Sequence, residues 1–213
     1  MPRPSPPTAP SHRPWPAAAA VASLLVAVAV AGCAPAAVGR LAHAARLPST
    51  SGAPATTTPG RCHARGTAPY VLPDPRCTPG AIDPAVTQAT IAATICRPGY
   101  TTTVRPPESV TEADKRAGVA AYGESGRLSG YEEDHLVALE LGGSPSAPAN
   151  LWPEPGRSPN AKDAVESAAH RAVCDGTLPL AAAQQAVATD WVALGVRLGV
   201  LPSAAAASVG GGA

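Results

Sequence analysis

The chain has 213 residues, enough for one domain with a core plus extensions, and a formal net charge of +1. Its 26 prolines, its lack of phenylalanine and its Pro-, Ala- and Ser-rich ends exclude a core that runs the whole length. Near-neutrality excludes a protein that grips nucleic acid by wholesale phosphate neutralisation, so any such contact is expected to be local, transient and salt-sensitive.

The N-terminus has the logic of an export signal. Arg3, His12 and Arg13 precede an uncharged run from Ala17 to Ala31 that contains Leu24, Leu25 and several valines. That run is about 15 residues long, against the roughly 20 needed to span a bilayer as a helix. It ends Val30-Ala31-Gly32-Cys33, which resembles the lipobox of bacterial lipoproteins. The resemblance implies a signal over 1–32, a lipidated Cys33, and an extracytoplasmic protein anchored to the cell membrane, with plain secretion as the alternative. Loss of Arg3 and Arg13 with the signal leaves 14 Lys+Arg against 15 Asp+Glu, a net of −1.

Five cysteines are present: Cys33, Cys62, Cys77, Cys96 and Cys174. Setting Cys33 aside leaves an even number, which suits disulfides in an oxidising compartment. Three connectivities are open; Cys62–Cys77 with Cys96–Cys174 is the simplest. A zinc site of four thiolates would be expected to show a C-x-x-C knuckle, and none is present.

Residues 33–61 read as a flexible tether, 62–201 as the folded domain and 202–213 as a disordered Ala/Gly tail. Within the domain, residues 62–80 read as loop. Asp83-Pro84 signals a helix that stops at Arg97-Pro98-Gly99. The β-branched run Thr101 to Val104 reads as a strand, and Thr111 to Asp114 as a capping box that starts a helix ending near Gly123. Tyr131 to Leu141 reads as a strand, Gly142-Gly143 as a turn and Asn150-Leu151-Trp152 as a returning strand. Ser158-Pro159 opens a helix that ends at Asp175-Gly176, and a last helix covers about Pro179 to Leu198. Trp152 and Trp191 are the expected core anchors.

The chemistry concentrates in Tyr131 to Lys162. Asp134 and His135 are adjacent, so strict strand alternation points them to opposite faces, and a bulge or strand end is needed for both to serve one site. Asn160, read at the second helical position, lies where helix amides favour anions. A carboxylate, an imidazole and a carboxamide together suit a divalent cation and a water-activating base. Set against this, Asp-His is a common pair and an Asn after a loop is often only a turn residue.

The run Asp134-His135, Gly142-Gly143, Asn150-Leu151, Asn160-Ala161-Lys162 resembles the HNH endonuclease motif, the ββα-metal finger. The resemblance implies an α+β fold with a small ββα core over 131–175, disulfide-stapled and carrying additional helices. It implies metal-dependent hydrolysis of phosphodiester bonds in DNA or RNA outside the cytoplasm. His135 would be the general base, and Asp134 and Asn160 the metal ligands. Asn150 would hold the motif loop and orient the His135 ring through its amide. The ion expected is Mg²⁺, with Mn²⁺, Zn²⁺ or Ni²⁺ as substitutes. Arg127, Arg157 and Lys162 are the candidate phosphate-binding residues. Glu132, Glu133 and Glu140 flank the motif and are candidates to supplement the metal site, though they read first as solvent-facing positions on an edge strand, and His170 reads as a packing or surface residue. The competing expectation is an envelope lipoprotein or binding module that keeps the fold without cleaving. Nothing in the sequence points to a protein partner.

Overall fold

A computed structural model describes residues 60–210. The expected signal, the expected lipidation site Cys33 and nearly all of the expected tether fall outside them. Among the described residues the architecture is mixed α+β, with five α-helices and two separate two-stranded antiparallel sheets.

The first sheet is a small hairpin of β1 (Arg65–Thr67) and β2 (Tyr70–Leu72), inside a segment expected to be loop. Cys62–Cys77 closes that segment, and Cys96–Cys174 ties distant parts of the domain, so both expected pairings are present. Two disulfides are the signature of an oxidising, extracytoplasmic environment. No helix among the described residues is long and apolar enough to cross a membrane.

Residues 83–97 depart from the expected helix. They form successive turns and a short 3-10 turn at Ile91–Ala93. The cause is local: the Thr90 hydroxyl donates to the Ala85 carbonyl and accepts from the Thr87 amide, both at 2.8 Å, offering the backbone an alternative to the helical ladder. Thr101 to Val104 is a short helix, α1 (Tyr100–Val104), rather than a strand. Its β-branched residues have no neighbouring strand to pair with, and Thr103 bonds back to the Tyr100 carbonyl at 2.7 Å.

The next helix, α2 (Glu108–Ala121), starts before the expected capping box. Pro107, with φ already at −59°, stands at its N-cap, and the Thr111 hydroxyl bonds to the Glu108 carbonyl inside the first turn.

The expected strand–turn–strand–helix follows in the expected order. β3 (Tyr131–His135) is shorter than the apolar run suggested, because Leu139–Leu141 coils into a 3-10 turn. Gly142 ends that turn at φ +74°, and a Cβ on Gly143 would strike the Val137 carbonyl, so both glycines are required by the backbone path. β4 (Leu151–Pro155) returns antiparallel, pairing Glu132 with Glu154, Asp134 with Trp152 and His135 with Leu151. The helix α3 (Ala161–Cys174) begins one residue after Asn160, which is its N-cap rather than its second residue.

Val165, Ala169 and Val173 of α3 are fully buried at a spacing of four, against Ala183, Val187 and Trp191 of α4 (Leu180–Arg197). Trp191 also donates its indole N–H to the Val71 carbonyl at 2.9 Å, joining the hairpin to the core. Trp152 and Trp191 are core residues, as read from sequence. The tail expected to be disordered is structured through residue 210: a 3-10 turn at Ser203–Ala206 leads into α5 (Ala207–Gly210). Ala205 is 1 % exposed, and α5 lies against β1 and β2.

Candidate functional site

The site is built at the end of β3. By alternation, Glu132 and Asp134 share one face of the ribbon with Glu154 and Trp152 across the ladder, and this face meets the start of α3. His135 alternates to the other face. Because the strand stops there, both Asp134 and His135 line one cleft of about 400 Å³. The strand end supplies what strict alternation forbids.

His135 is 8 % exposed, and its Nε2 lies 2.9 Å from the Pro145 carbonyl. A carbonyl can only accept, so Nε2 carries the proton and Nδ1 keeps the lone pair of the neutral ring. Burial lowers the imidazole pKa, which keeps the ring neutral; the Pro145 bond and the Asp134 charge act against that shift.

Asn150 is wholly buried and spends its carboxamide on the loop that delivers Pro145. Its oxygen accepts from the Val137 amide at 2.9 Å, and its nitrogen donates to the carbonyls of Val137 and Ser144, both at 3.0 Å. It therefore holds the loop, as expected, but does not touch the His135 ring. It acts beside His135 at two points: through Ser144, the neighbour of Pro145, and through its own carbonyl, which accepts from the Leu136 amide at 2.8 Å.

Lys162 is a correction. Read as a phosphate-binding residue, it is 1 % exposed, and its ammonium lies 2.8 Å from Asp134 Oδ2 and 3.0 Å from the His135 carbonyl. It also pairs with Glu166, one turn along α3. Burial alone would lower its pKa, yet Asp134, Glu166 and Glu154 outweigh that and raise it, so it stays charged.

Asp134 accepts from Lys162 and from the Trp152 indole, which donates to Oδ2 at 2.7 Å. Asn160 is committed as well. Its oxygen caps α3 by accepting from the Lys162 and Asp163 amides, while the Asp163 carboxylate accepts from the Asn160 amide at 2.6 Å. The Asn160 NH₂ group donates to Glu132 and Glu154, each at 3.3 Å.

Of the other two phosphate candidates, Arg127 is exposed and Arg157 donates to the Ser129 carbonyl at 3.0 Å; neither lines the cleft. The residues that do were only partly legible. Glu132 and Glu133, read as solvent-facing, are partly buried, and burial pushes their carboxyls up to about 6 and about 8. Burial also raises the Glu154 and Glu166 pKa values. Glu166 had a sequence signal, its position four residues after Lys162; Arg105 had none, nor had Glu154, which lies outside the lining and accepts from Asn160.

The cleft gathers six carboxylates, Glu132, Glu133, Asp134, Glu140, Asp163 and Glu166, against one lining cation, Arg105. An oxygen-rich, anionic donor set of this kind fits a hard divalent cation. A second group with ligand chemistry, Cys96, His170 and Cys174, has its donor atoms within 4.8 Å of one another. Its two sulfurs are joined in a disulfide, so it offers an imidazole rather than thiolates. His170 packs there, with Nε2 donating to the Ile95 carbonyl at 2.9 Å.

Comparison of the chain with protein-family models, with curated proteins and with solved structures gave no match.

Proposed function

We propose that the protein is a metal-dependent endonuclease of HNH type that hydrolyses phosphodiester bonds of DNA or RNA outside the cytoplasm. The observation that carries this reading is the His135 ring: it lines an acid-rich cleft, its Nε2–H is spent on Pro145, and its Nδ1 makes no hydrogen bond among the described residues. Nδ1 would take the proton from a water that attacks phosphorus, and the products would carry a 5′-phosphate and a 3′-hydroxyl.

Asp134 and Glu132 would hold the cation, with Asn160 fixing Glu132 from the helix N-terminus. Mg²⁺ suits the all-oxygen set. Bound there, the ion would stabilise negative charge on the phosphate and the leaving oxygen. Asn150 supports the loop that bears Pro145, and Lys162 fixes the Asp134 carboxylate and the His135 carbonyl, so both are positioning residues. Attachment to the membrane through Cys33 is part of the same proposal.

One observation favours a second reading. The Lys162 ammonium already neutralises Asp134, as it would in an envelope protein that keeps the architecture without cleaving. Plasmid nicking by the purified full chain with Mg²⁺ or Mn²⁺, with and without chelator, separates the two. The nuclease reading expects chelator-sensitive nicking that His135→Ala abolishes. An inert wild-type chain, or equal nicking by His135→Ala, supports the second reading.

A further inference from the structure

We infer that Arg105 is the phosphate-binding residue of the cleft, its guanidinium taking the non-bridging oxygens of a nucleic-acid phosphodiester beside His135. The inference rests on the nuclease reading of the same site and names the group that lets so acidic a cleft accept a polyanion.

Arg105 is the lining cation of a cleft that holds six carboxylates. It nevertheless makes no ion pair and no side-chain hydrogen bond among the described residues, and it is exposed to solvent. Two of the lining acids have other partners: Asp134 holds Lys162 and Trp152, and Glu132 accepts from Asn160. A guanidinium left unpaired among carboxylates is available to an incoming anion. Its planar fork matches two phosphate oxygens, which a lysine ammonium cannot do.

The backbone delivers this side chain to one place. Arg105 is the C-cap of α1 at φ −63° and ψ 126°, the extended conformation that Pro106 imposes on the residue before it. α1 rests against the 3-10 turn at Leu139–Leu141, which forms another wall of the cleft. Upstream, Cys96–Cys174 and the His170–Ile95 hydrogen bond fasten the segment to α3. The second disulfide thus ties the segment that leads into α1 to the helix that carries Asp163 and Glu166. Arg127 and Arg157 lack any such placement.

The test uses the full chain, a fluorescently labelled DNA duplex and salt-dependent anisotropy in Ca²⁺, with nicking of plasmid in Mg²⁺ read in parallel. Arg105→Ala should weaken duplex binding about tenfold and raise KM with a smaller change in kcat. The slope of log affinity against log salt should flatten by about one phosphate contact. Arg105→Lys should restore the salt slope without restoring the full affinity, and Arg127→Ala should leave both unchanged. Thermal melts matched to wild type would show that the Arg105 variants fold. Loss of binding in Arg105→Ala while wild type binds but does not cut supports this inference and overturns the catalytic reading. Unchanged KM and salt slope in Arg105→Ala while wild type cuts overturns the inference alone. No duplex binding by wild type overturns both.

Discussion

Lys162 Nζ lies 2.8 Å from Asp134 Oδ2 and 3.0 Å from Oδ1, so a buried ammonium grips the carboxylate beside the candidate base. Both side chains have left water, and Coulomb attraction must offset two desolvation penalties. Glu166 and the His135 carbonyl supply the remaining partners of the ammonium. Removing the lysine alone leaves Asp134 and Glu166 buried together without a cation. Lys162→Met is expected to cost about 3–5 kcal/mol in urea unfolding, a large part of the stability of an ordinary domain. A cost below about 1 kcal/mol would show that the pair is solvated in solution.

The same acid cluster sets a pH dependence. Glu132 and Glu133 have folded pKa values raised to about 6 and about 8, by burial first, and Glu154 and Glu166 move in the same direction. Their stabilising contribution is fully present below the unfolded pKa and is lost as pH rises through the folded values. His135, whose pKa is lowered, works in the opposite sense, one group against four. The melting temperature measured in chelator should therefore fall between about pH 5 and about pH 8. Mg²⁺ should reduce that fall, because a bound cation favours the ionised carboxylates. A melting temperature that rises across this window would contradict the assigned environments.

Disulfide contributions should differ by loop length. Cys96–Cys174 closes 78 positions and Cys62–Cys77 closes 15. Chain-entropy arithmetic gives losses of about 4.5 and about 3 kcal/mol for the paired serine variants. Loss of the longer loop should also weaken nucleic-acid binding, because it releases α1 and Arg105 from α3. Chemical denaturation of the two double variants checks the order of the losses.

Truncation after Leu201 is expected to destabilise the domain by about 1–2 kcal/mol through loss of the buried Ala205 and the partly buried Val209. A melt indistinguishable from that of the full chain would show that α5 does not hold β1 and β2.

Cysteine parity made two disulfides legible but left three pairings open, of which the simplest is the one formed, and the glycine pair with the two hydrophobic runs made β3, the turn, β4 and α3 legible in order. Lys162 was not legible as a buried ion, because lysine is almost always a surface residue and only the fold brings Asp134 under it. Thr101 to Val104 misled for a related reason: β propensity means little where no strand is available to pair, and there the threonines serve a helix. Ala- and Ser-rich composition hid the ordered tail, whose Ala205 packs by being small. Asn160 showed its cap position less clearly than its apparent ligand role, since both uses require the same carboxamide oxygen.

Imidazole rescue of His135→Ala on supercoiled plasmid asks whether His135 is the base. With Mg²⁺ or Mn²⁺, wild type should nick, His135→Ala should fall by about 10²–10⁴-fold, and added imidazole should restore part of the rate. Equal nicking by wild type and variant, or no nicking by wild type with any divalent ion, would contradict His135 as the base of a nuclease.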